Sequence, residues 1–109
     1  MTEDMEQKNF YEAVLDAVKK VWNTEDAVET VGGITLKFNQ GVLFGYPFKE
    51  IIVKGYGRYW KHYCYESFTG AEYSRSQKRT VAKWICQDFD ETGRCYAETD
   101  EPYDYWNQK

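Results

Sequence analysis

Four side chains in this sequence have the chemistry to hold zinc. His62 and Cys64 lie two apart in KHYCY, and Cys86 and Cys95 flank the loop DETG. A tetrahedral site is most readily built where a short turn separates two nitrogen or sulfur ligands. Neither pair has that turn, and the sequence contains no CxxC and no HxxxH, so the three cysteines read as free thiols and no cofactor is expected. A histidine beside a cysteine also suggests a base and a nucleophile. Residues two apart on a strand hold their side chains roughly 7 Å from each other, too far for direct proton transfer. His62 would therefore need another partner, notably a carboxylate. With one histidine and no GxSxG, HExxH or phosphate-binding glycine loop, no catalytic residue is assigned and the expectation is a non-enzymatic protein. A small enzyme or zinc protein using His62, Cys64, Cys86 and Cys95 is kept as an alternative.

Charge and aromatic content carry more information. The formal charge of −4 conceals a division in which residues 1–48 carry −4, residues 49–83 carry +5 and residues 84–109 carry −5. Asp88, Asp90, Glu91, Glu98, Asp100, Glu101 and Asp104 form a candidate acidic surface for a basic patch on a protein partner. Tyrosine and tryptophan, part of an 18% aromatic content, concentrate in the basic ribbon 54–83. There Arg58, Tyr59, Lys61, Tyr63 and Tyr65 are candidates for anchoring a partner, since such side chains join a large apolar area to a polar handle. The same ribbon could stack nucleic-acid bases, which is the alternative binding mode. A negative molecule is repelled by phosphate at long range, so a protein partner is the leading expectation, with a homodimer that buries two tyrosine faces as a special case.

These groups must be positioned by a sheet and a helix. Phe10, Val14, Ala17, Val18 and Val21 fall at spacings of three and four and predict an amphipathic helix over 2–23, with Lys19 and Lys20 suited to its C-terminal end. Residues 27–31 read as a strand. Alternating Ile34, Leu36 and Phe38 lead through NQG, read as a turn, into VLFGY, giving a hairpin over 34–46. Phe48 to Lys54 and Arg58 to Phe68 should be paired strands joined by GYG. Residues 69–79 are polar and read as a loop. Thr80 to Phe89 is read as a strand, because DETG resembles a tight hairpin loop leading into RCYAET. The acidic aromatic tail, 100–109, should dock on the domain. Strand alternation places Trp60, His62, Cys64, Glu66 and Phe68 toward the helix, and Tyr59, Lys61, Tyr63, Tyr65 and Ser67 on the opposite face.

The expected architecture is a single domain, 1–109, of the α+β class. An N-terminal amphipathic helix packs on one face of a mostly antiparallel sheet of about five to six strands, with strands mainly within 34–99. No apolar run approaches the ~20 residues that span a bilayer, and the acidic start MTEDMEQ is unlike a secretory signal, so no membrane partner and a cytoplasmic location are expected. In size, acidity, aromatic richness and lack of catalytic motifs, the chain resembles small phage and mobile-element proteins such as antirestriction and anti-CRISPR inhibitors. The resemblance implies stoichiometric association with a host nucleic-acid enzyme and assigns no residue.

Overall fold

Among the described residues, five antiparallel strands form a meander that carries two helices on one face. The computed structural model describes residues 3–56 and 60–95. Helix α1 spans Glu3–Val21, followed by β1 Val28–Val31, β2 Ile34–Leu43, β3 Tyr46–Lys54, β4 Lys61–Thr69, β5 Glu72–Arg75 and α2 Lys78–Asp88. Each strand pairs with its sequence neighbour, in the sheet order β1-β2-β3-β4-β5. This is an α+β fold with an open sheet, as the sequence pattern predicts.

The periodic residues of α1 bury Val14, Ala17, Val18 and Val21 against Ile34, Leu36 and Phe38 of β2, Ile51 and Val53 of β3, and Tyr63 and Tyr65 of β4. Val81, Ala82, Ile85 and Phe89 complete this cluster. Each fully buried aliphatic side chain contributes roughly 1.5–3 kcal/mol of transfer free energy. Helix α1 ends where Asn23 adopts φ 54, the left-handed conformation that asparagine tolerates at a helix end. Tyr65 fixes that end: its ring stacks on Trp22 at 3.7 Å, and its hydroxyl donates to Asn23 Oδ1 at 2.8 Å.

Several expectations change. Thr80 to Phe89 forms most of α2 and its end, rather than a strand. Val81, Ala82, Ile85 and Phe89 are buried together in the core beside α1 and β4; a strand would turn Ala82 away from the other three, whereas a helix places all four on one stripe. NQG is no turn: β2 continues through it, and Gly41 lies under the ring of Phe48. The reversal comes at Phe44 and Gly45, both with positive φ, between the paired residues Leu43 and Tyr46. That is the two-residue hairpin turn whose twist matches the flanking strands. The polar segment 69–79 contains β5 and the start of α2. Tyr63 and Tyr65 face the helices and are buried, whereas Cys64 is exposed, so the predicted facing of these β4 residues is reversed. The tail 100–109 lies outside the described residues.

The loop after α2 is fastened by backbone contacts. Gly33 N–H donates to Glu91 O at 2.9 Å, and Tyr56 N–H donates to Gly93 O at 3.2 Å. Asp90 Oδ1 accepts from the backbone N–H groups of Thr92 and Arg94 and from the Thr92 hydroxyl. A Cβ on Gly55 would fall 1.9 Å from Gly93 O, and one on Gly33 would fall 2.1 Å from Thr92 O. Glycine thus lets the loop meet the ends of β2 and β3. Gly55→Ala should displace this loop and destabilise the protein by about 2 kcal/mol or more in urea unfolding, while Gly45→Ala, in open space, should cost only the smaller strain of its positive φ.

Candidate interaction surface

The sheet presents two chemically different surfaces. On the face away from the helices, β3 contributes Glu50 and β4 contributes His62. Glu50 is 0% exposed, and its Oε1 lies 2.8 Å from His62 Nδ1 while its Oε2 accepts from Asn39 Nδ2 at 2.8 Å. The carboxylate expected to partner His62 is therefore a cross-strand residue. Such a pair can orient an imidazole. Cys64 beside it is exposed but partly desolvated, which raises its thiol pKa, and its Sγ donates to Glu66 O at 3.5 Å, so the thiol is not activated as a nucleophile. Trp60 lies along the same strand direction, with Lys37 and Lys54 Nζ at 5.3 and 5.6 Å from its ring centroid.

The sequence-derived candidates separate when placed on the fold. Asp88 accepts from the Tyr63 hydroxyl at 2.6 Å and lies 3.7 Å from Lys61 Nζ, so Lys61, Tyr63 and Asp88 tie β4 to α2. Asp90 organises its own loop, and Glu91 is exposed beside it. Tyr65 fixes the end of α1. Arg58, Tyr59, Glu98, Asp100, Glu101 and Asp104 lie outside the described residues. The zinc set is not assembled: Cys86 and Cys95 are half-buried against the helix-side core, while His62 and Cys64 belong to the other face. Among the described residues no cluster of three or more His, Cys, Asp or Glu side chains is placed to hold a metal. No described helix is long and apolar enough to cross a membrane.

On the helix side, the sheet extends beyond the helices. The core row containing Phe38 and Ile51 is followed by a polar row, Gln40, Lys49, Glu66 and Arg75, linked by the pairs Gln40↔Lys49, Lys49↔Glu66 and Glu66↔Arg75. Lys49 Nζ and Glu66 Oε2 are 3.9 Å apart. The next row is apolar: Val42 pairs with Pro47, Phe68 pairs with Tyr73, and Pro47 is one step beyond the Phe48↔Ser67 pair that brings β3 to β4. Val42 is 66% exposed, Phe68 37% and Tyr73 51%, with the Phe68 and Tyr73 rings 4.8 Å apart. Four strands at ~4.8 Å spacing make this strip roughly 14 Å wide. Phe44 is 83% exposed at the adjoining hairpin tip. The sequence reading did not single out Val42, Phe44, Pro47 or Tyr73, although Tyr73 and Arg75 lie within the candidate basic ribbon 54–83. The alternation Ile34, Leu36, Phe38, Gln40, Val42 carried the signal, since it resumes an apolar residue after a polar interruption.

No family model, curated protein or solved structure matches this chain.

Two measurements test the interactions behind these surfaces. Glu50→Ala should destabilise the protein by about 2–4 kcal/mol, because Asn39 Nδ2 and His62 Nδ1 lose their buried acceptor, and Glu50→Gln should cost less. In alkaline solution, burial pushes the Cys86 thiol from its ordinary 9.0 up to about 11. Tyr63 is raised by burial and then by its hydrogen bond to Asp88, and Tyr65 by burial. Their neutral forms are favoured in the folded state, so this contribution is intact below the unfolded pKa values and is lost as pH rises through the folded ones. The urea midpoint should hold between pH 7 and 8 and fall from about pH 9 upward, less steeply in Tyr63→Phe.

Proposed function

We propose that this protein is a binding module that associates stoichiometrically with a protein partner through the apolar strip Val42–Pro47–Phe68–Tyr73 and the Phe44 hairpin tip. The observation that carries this reading is the exposed apolar row beyond a charged row on the same sheet face. An apolar patch bordered by polar side chains is the pattern of an interface with an anchoring centre and a solvated rim. Of the seven large apolar side chains exposed among the described residues, Val42, Phe44, Tyr46, Phe68 and Tyr73 belong to the two hairpins at this end of the sheet. Their concentration there favours a defined surface over scattered exposure.

Phe44 strengthens this reading. It occupies φ 54 at the first position of the turn, a conformation that asparagine or glycine adopts with less strain. A large ring held there by the hairpin suits a partner pocket, since its backbone is already in place before binding. The acidic candidates support the reading less, because Asp88 and Asp90 are engaged within the fold.

Affinity capture from the native cell, with nuclease treatment and mass spectrometry, tests the reading when the wild type is compared with Phe44→Asp and Phe68→Asp. A protein captured by the wild type in a fixed ratio should be lost at least tenfold with either variant, as expected for anchor residues worth over 1 kcal/mol. Equal capture by folded variants, or loss of the captured protein on nuclease treatment, would contradict it.

A further inference from the structure

The apolar strip adjoins a cationic cleft, and together they specify what the partner presents. A cleft of about 510 Å³ is lined by Trp22, Arg75, Ser76, Gln77 and Lys78, between the end of α1, the end of β5 and the beginning of α2. Arg75 belongs to the polar row beside the strip, so the two surfaces are continuous. Trp22 forms a rigid wall, because its ring is stacked on buried Tyr65 and Lys78 Nζ lies 5.7 Å from its centroid. Arg75, Lys78 and Arg79 are exposed and join no ion pair among the described residues. The first turn of α2 contains no acidic side chain, and the Gln77 side chain does not cap it.

This grouping is notable in a chain with 18 acidic and 14 basic side chains. Lys61 finds Asp88 and Lys49 finds Glu66, whereas Arg75 and Lys78 in the cleft lining, and Arg79 next along α2, join no ion pair among the described residues. Cations arranged on one side of an apolar strip complement a segment with an apolar face and an acidic edge. The helical layer ends at α1 and α2 while the sheet beneath continues, leaving room on the strip for another helix in that layer. The net charge of the whole molecule repels an acidic partner at long range, so this local field would select orientation once contact is made.

From these features, resting on the proposed protein-binding role of the strip, we infer that the partner segment is an acidic amphipathic helix. Its apolar face lies on Val42, Pro47, Phe68 and Tyr73, and its carboxylates enter the cleft at Arg75 and Lys78. This is a helix-on-sheet counterpart of helix-in-groove recognition, with affinity from the apolar anchors and register from charge.

The test uses a displayed library of random peptides of about 16 residues, roughly 24 Å long as helices, panned against the full-length wild type. Selected peptides are then measured on Arg75→Glu/Lys78→Glu and on Tyr73→Asp, whose folding is checked by thermal unfolding. The expected result is enrichment of acidic peptides with apolar residues at spacings of three and four. Their affinity should fall about tenfold or more on each variant, in line with two charge contacts or one apolar anchor. Apolar peptides without acidic bias, weakened by Tyr73→Asp but not by charge reversal, would overturn the acidic-helix inference and leave the strip as a binding site. No enrichment, or binding indifferent to Tyr73→Asp, would overturn both readings. A fluorescent single-stranded oligonucleotide is titrated in parallel; micromolar binding abolished by charge reversal would assign the cleft to nucleic acid and overturn the inference.

Discussion

The β-bulge at Tyr65 is the constraint on which the two surfaces depend. Glu50 is opposite Cys64 and Lys49 is opposite Glu66, so Tyr65 is the extra residue between these pairs. Its ring turns beneath Trp22, its hydroxyl reaches Asn23, and its carbonyl accepts from Ser76 N–H at 2.7 Å. Beyond it, side-chain parity changes. Glu66 joins Lys49 on the helix side, and Phe68 joins Tyr73 beside Val42 and Pro47. Uninterrupted alternation would turn Phe68 to the opposite face and divide the apolar strip. The same irregularity that closes the core therefore creates the exposed row.

The opposite face holds the register that makes the bulge definite. Before it, Glu50 is buried between Asn39 on β2 and His62 on β4, so one carboxylate links three strands. A shift of either neighbouring strand by one residue would reverse the facing of its donor and leave a buried carboxylate under-satisfied. An apolar residue at position 50 would lack this directional penalty. The polar network thus contributes specificity of pairing, and the penalty for breaking it is larger than the net gain from forming it.

Much of the architecture was legible because its periodicities are simple. The α1 stripe and the alternating residues Ile34, Leu36 and Phe38 each match one element and one buried face. The α2 segment was harder to read, since Val81, Trp84, Ile85 and Phe89 suit a helix by spacing and a strand by composition; packing against α1 and β4 decides it. Phe44–Gly45 competed with NQG as the turn, and glycine alone did not distinguish a reversal from a close ring contact. The candidate strip was less visible still. Its residues come from four strands and lie together only through register, and the parity of Phe68 cannot be obtained by counting along β4 without knowing that Tyr65 is a bulge.

The charged row between core and strip gives this arrangement a physical logic. If Gln40, Lys49, Glu66 and Arg75 were apolar, the core and exposed strip would form one continuous hydrophobic surface, and α1 or α2 could gain contacts by sliding along it. Polar side chains make that displacement costly, because their desolvation would require new hydrogen bonds or ion pairs. The row therefore marks where the helices must stop as well as where an incoming surface can begin. Val42, Phe68 and Tyr73 lie outside the buried core cluster, whereas changes at Tyr65 disturb the core, the end of α1 and the parity of the strip together. The buried core lies on one side of that polar boundary, and the proposed recognition surface lies on the other.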